Sequence, residues 1–217
     1  MAGSVSIDAA TPRPEPMAPR FLTVRRRIRE SADVATLDIA LDDADARKLA
    51  CRPGQFNMLY AFGVGEIPVS VSGDPAILDR VTHTIRAVGA VSSALVKLKA
   101  GDSIGLRGPF GSRWPVEDAA GSDVVIIAGG IGLVPLRPVV YHLLRRRASY
   151  GRISLLCGAR TLDDLLFRKE LDRWRRTPDF QLRVTLDRAD QRWAGDVGYV
   201  TNLLPKARVD LAETVAM

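Results

Sequence analysis

The sequence has only two cysteines among its 217 residues, Cys51 and Cys157, and they lie far apart with no CxxC spacing. An iron–sulfur cluster generally takes four ligands, so we expect no such cluster in this chain. Two isolated thiols are typical of a reduced intracellular protein. The sequence therefore predicts a cytoplasmic protein with no disulfide framework and no metal site.

Long apolar runs and a signal-peptide pattern are also missing. No stretch of about 18 uninterrupted apolar residues occurs, so no membrane span is predicted. The N-terminus, MAGSVSIDAATPRPEPMA, lacks the charged-then-apolar order of a secretory signal. Its Pro, Ala and Ser content predicts a disordered tail over residues 1–18.

Aromatic residues are scarce, at 6% of the chain, and are not interleaved with basic residues in a stacking pattern. The net charge of +6, from 31 Lys+Arg against 25 Asp+Glu, therefore gives little support to nucleic-acid binding. Solvated faces, or a surface for an acidic protein or a phosphate-bearing cofactor, explain the excess of positive charge better. We expect no nucleic-acid partner.

The two halves of the chain differ in the pattern of their apolar and polar residues. Residues 19–117 contain short alternating runs separated by Gly, Pro and Asp, with one helical interruption at SSALVKLKA, which favours an antiparallel barrel or sandwich. The predicted strands are FLTVRRRI, VATLDIAL, QFNMLYAF, IPVSVSG, THTIRAVG and DSIGLRGPFG.

Residues 118–217 instead alternate buried strands with helices. DVVIIA, RISLLCGA and FQLRVTL read as strands, YVTNLL as a short helical piece, and ETVAM as the start of a fourth strand. Thr161 and Asp164 predict a capped start for a helix over LDDLLFRKELDRWRR. This order is typical of an open parallel sheet.

The stretch DVVIIAGGIGLVPLRPVV places Gly129, Gly130 and Gly132 where the first parallel strand ends. Ligands of open α/β sheets bind at that edge, and glycine lets a diphosphate approach the backbone. Pro135 and Pro138 fit a first helical turn. A tight turn with no ligand remains the alternative, because Pro135 stands where the dinucleotide fingerprint has its third glycine.

Seven motifs in order resemble the ferredoxin–NADP reductase superfamily over about residues 18–217. They are PGQF, IPVSVSG, VGAVSSAL, GDSIGLRGPFG, AGGIGLVPLRP, GARTLDDLLF and GYVT. The likeness is greatest to the gamma subunit of cytoplasmic nickel–iron hydrogenases and sulfhydrogenases, and next to the electron-transfer subunit of dihydroorotate dehydrogenase. The resemblance implies an antiparallel Greek-key barrel that binds FAD, followed by a parallel-sheet domain that binds NAD(P)H.

The resemblance also implies site residues in the barrel. Ser70 matches the hydroxyl residue near the reactive flavin nitrogen and is the expected catalytic residue. Gly89 and Ser92 match a turn that opens a short helix toward the FAD diphosphate, and His83 is given no ligand role. The expected FAD-binding residues are Pro68, Val69, Ser70, Val71, Arg86, Gly89, Val91 and Ser92.

In the second domain the resemblance implies a diphosphate site around the glycine-rich stretch, with Arg160 and Thr161 contacting the nucleotide and Asp187 near the adenosine ribose. The expected nucleotide-binding residues are Gly129, Gly130, Gly132, Leu133, Pro135, Gly158, Ala159, Arg160, Thr161 and Asp187. The sequence does not favour NAD over NADP.

The implied activity is hydride transfer between NAD(P)H and FAD, with single electrons then passed to an iron–sulfur subunit of a hydrogenase-like or dehydrogenase complex. A dihydroorotate dehydrogenase electron-transfer subunit or an oxygenase reductase is the alternative. A non-catalytic remnant that retains only the fold is an alternative of another class.

The chain departs from the family at two places. Ile67, preceded by Glu66, stands where members often carry a phosphate-binding Arg. Members also continue past TVAM into a Cys-Gly-Pro-Glu loop, and the likest ones into a cysteine cluster. We therefore expect a second domain that lacks its last strand and binds nicotinamide weakly.

Overall fold

A computed structural model describes residues 18–217, so the predicted tail lies outside the described residues except for Ala18. The described chain forms two sheets that share no strand. The first is antiparallel, built from residues 20–110, and is called the barrel below. The second is parallel, built from residues 123–216, and belongs to what is called the α/β lobe. The predicted combination of fold classes is confirmed.

The barrel contains the six predicted strands in the order β4-β3-β6-β1-β2-β5. Beyond β4, Val71 forms a bridge with His83 of β5, which joins the two edges and closes the sheet. The strands are β1 (Arg20–Arg29), β2 (Val34–Ala40), β3 (Phe56–Ala61), β4 (Gly65–Ser70), β5 (Arg80–Arg86) and β6 (Ser103–Phe110).

Two short helices connect the barrel strands. Helix α1 (Asp43–Lys48) was not predicted; Asp42 caps it by accepting a hydrogen bond from the Asp45 amide at 2.7 Å. Helix α2 (Ala90–Leu95) begins two residues before the predicted SSALVKLKA segment and ends five residues before that segment does. The α2 side chain of Leu95 is fully buried in the barrel core, which explains why this turn stays helical.

The parallel sheet has the order β10-β9-β8-β7-β11. Its strands are β7 (Asp123–Gly129), β8 (Ile153–Ala159), β9 (Phe180–Leu186), β10 (Asp196–Val197) and β11 (Thr214–Ala216). The predicted strands form as expected, whereas the two-residue β10 was not predicted. Helices α3 (Leu133–Arg145) and α4 (Arg168–Arg175) follow β7 and β8.

The helix predicted over residues 162–176 is wrong in its first half. Residues Leu162–Asp164 form one 3-10 turn, and α4 begins only at Arg168. Phe167 between them has a φ of 54°, in the left-handed region that ends a helix. The Thr161 hydroxyl donates to the Asp164 carboxylate at 2.8 Å, so it does not cap the backbone as predicted.

The prediction that both prolines lie in the first turn of α3 holds for Pro135 but not for Pro138, which lies inside the helix. Its missing N–H removes one backbone hydrogen bond there. The side chain of Pro138 is buried, so packing offsets this loss. Within residues 18–217, no helix is long and apolar enough to cross a membrane.

Candidate functional site

A cavity of about 570 Å³ lies between the two lobes, where the end of β4 faces the beginning of α3. One wall comes from β4, β5 and α2, and the other from the turn between β7 and α3. The predicted site residues that line it are Pro68, Val69, Ser70, Arg86, Gly89, Val91, Ser92, Gly132 and Pro135.

Ser70, the predicted catalytic residue, ends β4 and is half-buried on the barrel wall. Behind it lies His83, which is fully buried and whose Nδ1 is 2.9 Å from the carbonyl oxygen of Ser70. On its other side, His83 Nε2 is 3.1 Å from Asn57 Nδ2. A polar chain inside the barrel therefore holds the backbone of Ser70.

The partners of His83 define its tautomer. A carbonyl oxygen only accepts, so Nδ1 carries the proton and donates to Ser70, and Nε2 accepts from the Asn57 amide. Burial lowers the pKa of His83 to about 4, against hydrogen bonds to the backbone of Ser70 and Val69 that raise it. His83 is thus neutral at pH 7. Sequence reasoning missed this role because the partners come from other strands.

Gly89 precedes α2, and Ser92 closes the turn onto it. Ser92 Oγ accepts from the amides of Val88 and Gly89, each at 3.0 Å, and donates to the Gly89 carbonyl at 3.2 Å. The Ser92 hydroxyl is therefore occupied by hydrogen bonds within its own turn. The amides of Ala90 and Val91 in the first turn of α2 have no intrahelical acceptor.

Among the described residues that line the cavity, Arg86 is the only charged one. Its Nε is buried without a hydrogen-bond partner, although Asp33 Oδ2 lies 3.4 Å away, within ion-pair range. An ion pair at this distance leaves the N–H direction of Nε unsatisfied. A buried donor of this kind favours an acceptor from outside the chain.

The opposite wall is the glycine turn, residues 129–132, formed by the end of β7 and a single 3-10 turn that leads into α3. Gly130 has a φ of +53°, which favours glycine. A Cβ atom on Gly129, Gly130 or Gly132 would meet no atom within 4 Å. Packing within the protein therefore does not explain why this turn carries three glycines.

Gly158, at the end of β8, differs from these glycines. A Cβ there would lie 2.9 Å from Cβ of Val200. Close packing of the segment after β10 onto the sheet is enough to require glycine at this position. The sequence pattern alone did not distinguish the two cases.

Several predicted residues lie at the same sheet edge but outside the cavity. Gly129 pairs with Gly158 across β7 and β8, and the Asp187 amide donates to the Ala159 carbonyl at 2.9 Å. The ends of three parallel strands thus bring the predicted nucleotide residues together. Arg160 and Asp187 are exposed there, and Arg160 pairs with Asp164 at 3.4 Å.

The side chains of Val71, Leu133 and Ala159 are buried in the hydrophobic cores. Val71 belongs to the barrel core, and the other two to the core of the α/β lobe. These predicted residues could therefore contact a ligand only through their backbone atoms.

The position that the family often fills with Arg is occupied by Ile67, which packs against the barrel core. Its neighbour Glu66 accepts two hydrogen bonds from Arg107, at 2.7 and 2.6 Å. The Arg107 hydrogen bonds hold the pKa of Glu66 below its ordinary value. This ion pair ties β4 to β6 and leaves no net charge at the position.

Both cysteines are protonated thiols at neutral pH. Burial raises the pKa of Cys157 to about 12 and that of Cys51 to about 11, the latter against a hydrogen bond from Asn57 that lowers it. Across residues 18–217, no group of three or more His, Cys, Asp or Glu side chains is arranged to hold a metal ion.

Comparison with known proteins finds similar sequences for both lobes. Residues 126–217 match the model of the oxidoreductase NAD-binding domain. The chain is 40% identical over 127 residues to sulfhydrogenase 1 subunit gamma of Pyrococcus furiosus, covering 58% of this chain and 44% of that protein. It is 35% identical over 188 residues to a probable dihydroorotate dehydrogenase B (NAD(+)) electron transfer subunit of Methanocella arvoryzae, covering 87% and 64%.

The fold is shared with solved structures. A ferredoxin NADP+ reductase from Neisseria gonorrhoeae, with bound FAD and NADP, superposes with a TM-score of 0.77 at 19% identity, over 92% of this chain and 84% of that one. The chain spans 44% to 64% of the length of the two curated relatives. With its closed antiparallel barrel followed by a parallel sheet, the chain has the two-domain fold of this ferredoxin NADP+ reductase.

Proposed function

We propose that this chain is the flavin-dependent electron-transfer subunit of an oxidoreductase, binding FAD along the barrel wall and NAD(P)H at the glycine turn. It would move electrons between NAD(P)H and an iron–sulfur partner of a hydrogenase-like complex in the cytoplasm. Relatives named as a gamma subunit and an electron transfer subunit support this assignment.

The open glycine turn is the observation that carries the proposal. Gly129 and Gly132 have φ values of −105° and −61°, which any residue adopts, and a Cβ on either would meet nothing within 4 Å. Neither conformation nor internal packing requires glycine there. An anionic ligand seated on the turn does, because it approaches the backbone where side chains would stand.

The barrel wall fits FAD by its chemistry. Arg86 offers a buried N–H without an acceptor, suited to an anionic or carbonyl oxygen. Ser70 supplies a hydroxyl at the end of β4, and Gly89 leaves open space beside α2. These residues would hold the flavin and its diphosphate without the Arg that the family often has at position 67.

FAD and NAD(P)H together supply hydride transfer and its division into single electrons when they are bound. The chain's own residues would bind the two coenzymes, orient them and shield them from water. Ser70 and Pro135 line one cavity from opposite walls, so groups held by each wall meet in the same space. Orientation of the reacting groups is one of the contributions that a protein makes to such a reaction.

The dihydroorotate dehydrogenase assignment is a second candidate, favoured by a specific observation. That relative aligns with 87% of this chain, whereas the sulfhydrogenase gamma subunit aligns with 58%. Identity is higher to the sulfhydrogenase subunit, at 40% against 35%. Complex formation with the iron–sulfur subunits of each class would separate the two assignments.

Coenzyme binding by the purified protein tests the proposal directly. We expect the protein to take up one FAD, and to bind NADH or NADPH weakly in calorimetric titrations of the FAD-loaded form. Anaerobic addition of the bound nucleotide should then lower the visible flavin absorbance. A folded protein, verified by circular dichroism, that binds neither FAD nor a pyridine nucleotide would refute the proposal.

A further inference from the structure

Arg137 reaches from the α/β lobe into the barrel. It lies on α3, is 9% exposed, and donates from Nη1 to the carbonyl oxygen of Ser72 at 3.0 Å. The two sheets share no strand, so side chains such as this one must join the lobes. Sequence reasoning gave Arg137 no role.

The ends of this contact lie very close to the two walls of the cleft. Ser72 follows Ser70 by two residues, and Arg137 follows Pro135 by two residues. Two residues span about 7 Å along an extended chain and about 3 Å along a helix. The hydrogen bond therefore connects the two walls at their base.

The Arg137 guanidinium is itself held in one orientation. Glu170 of α4 accepts from its Nε and Nη2, each at 2.6 Å, and also accepts from the Tyr141 hydroxyl at 2.8 Å. The Phe167 ring lies 4.2 Å from Cζ of Arg137. A planar fork bound on two edges and one face has little freedom to rotate.

A second cavity, of about 550 Å³, is lined by both Arg137 and Glu170, so Arg137 is not buried in continuous packing. A buried ion pair is weak support for stability, since desolvation offsets its attraction. The geometry of Arg137 therefore favours a role in orienting the two lobes over a contribution to the free energy of unfolding.

A second arginine on the same helix offers a natural comparison. Arg145, about two turns further along α3, also reaches the barrel, where it pairs with Asp74. Its side chain is 55% exposed, whereas that of Asp74 is 10% exposed, and an ion pair with one solvated partner contributes little. Arg145 therefore shares the helix, residue type and direction of Arg137, but not its buried hydrogen bond to Ser72, just beyond the strand that ends at Ser70.

We infer that Arg137, clamped by Glu170, is a positioning residue that sets the separation of the barrel wall from the glycine turn. Its effect on electron transfer rests on the proposed function, because the two coenzymes would react across that separation. Its effect on the lobes themselves does not depend on any coenzyme.

Substitution of Arg137 by Lys tests the inference, with Arg145→Lys as the matched control. Lysine keeps the charge but cannot bind Glu170 on two edges and the Ser72 carbonyl at once. Spin labels at V64C on the β3–β4 hairpin and at A148C after α3, in a C51S background, report the lobe separation by pulsed electron resonance. Both labelled positions are exposed.

Without coenzymes, we expect Arg137→Lys to broaden or shift the distance distribution, and Arg145→Lys to leave it as in the parent. In the FAD-loaded protein, flavin reduction at saturating NADH should slow about tenfold in Arg137→Lys, a loss typical of misplaced reactants. The Kd for FAD should stay within about twofold, because Arg137 is outside the barrel wall.

Glu170→Gln provides a second variant should Arg137→Lys fold poorly, since it keeps the volume and one acceptor. It should change the distance distribution in the same direction. An unchanged distribution in both variants, or an equal change in Arg145→Lys, would overturn the inference. Absence of coenzyme binding by the parent protein would count against the proposed function alone, because the distance measurement still decides the role of Arg137.

Discussion

The two walls of the cleft are built in opposite ways. Behind the barrel wall lie polar side chains shut away from water: His83 and Asn57 are both 0% exposed, and Gly108 packs directly against Asn57. The glycine turn has open space in front of it and the apolar side of α3 behind it, where Val139 and its neighbours are buried.

This difference separates the residues that keep a binding site folded from the residues that contact its ligand. The barrel wall is held in place by internal hydrogen bonds, so substitutions behind it should reduce stability first and binding second. The glycine turn has no internal partner to lose, so substitutions at Gly129 and Gly132, whose φ values any residue adopts, should leave stability intact and affect only a ligand. Stability and binding can therefore be measured separately on the two walls.

The largest effect is expected from Gly108→Ala on the barrel side. Gly108 has a φ of +146°, and a Cβ there would overlap Asn57 Oδ1 and lie 3.3 Å from Asn57 Cα. The position is a bulge in the pairing of β6 with β3. Backbone strain and overpacking together should lower the free energy of unfolding by roughly 3–5 kcal/mol, measured by urea denaturation.

Gly63→Ala is the matched control for this substitution. Gly63 also has a positive φ, +72°, but a Cβ there would meet nothing within 4 Å. Only the backbone cost remains, about 1–2 kcal/mol. Equal losses in the two variants would show that Asn57 does not confine Gly108, and the barrel wall would then be less tightly backed than its geometry indicates.

A pH-dependent effect is expected from His83. Its pKa is about 4 when folded, against 6.5 as the ordinary value. The unfolded chain therefore binds the proton more readily, and acid favours unfolding. The stability of the neutral buried form is fully present above pH 6.5 and decreases as the pH falls toward 4, by roughly 3 kcal/mol for a shift of this size.

His83→Gln removes this titration and should flatten the decline of unfolding free energy between pH 6.5 and 4. His142→Gln is the control, because His142 is the other histidine and is only half-buried. Burial, followed by the charge of Arg146, lowers the pKa of His142. An acid decline in His83→Gln as steep as that of the parent would mean that His83 is not held neutral by the barrel.

Local patterning was enough to predict the strands of both sheets except the two-residue β10. Each barrel strand alternates apolar and polar residues, and β7 and β8 are apolar on both faces, so neighbours along the chain determine their form. The glycine turn was also predictable, because strand end, glycines and helix start are contiguous. Of the predicted barrel residues, Pro68–Ser70, Arg86, Gly89, Val91 and Ser92 line one cavity.

Features that depend on distant partners were not predictable. Phe167 interrupts the predicted helix where its ring covers Arg137 and its amide donates to Glu30 of the barrel at 3.3 Å. No short-range signal indicates either contact. The hydrogen bonds of His83 to Ser70 and of Arg137 to Ser72 likewise join strands and lobes that are far apart in sequence.

The smallest effect on stability, and the sharpest test of the comparison, is expected from Gly132→Ala. Gly132 has a φ of −61° beside the start of α3, and a Cβ there meets nothing within 4 Å. Alanine should leave the free energy of unfolding unchanged or raise it by up to about 1 kcal/mol, because it restricts the unfolded chain. The same methyl group would stand where the proposed diphosphate approaches, so NAD(P)H affinity should fall about tenfold, or about 1.4 kcal/mol.

Gly158→Ala, at the end of the neighbouring strand, should instead destabilise the fold by about 1–3 kcal/mol, since its Cβ would lie 2.9 Å from Val200. Calorimetric titration with NADH and urea denaturation of both variants give the two readouts. Unchanged affinity in a fully stable Gly132→Ala protein would remove the reason for assigning the glycine turn to a ligand.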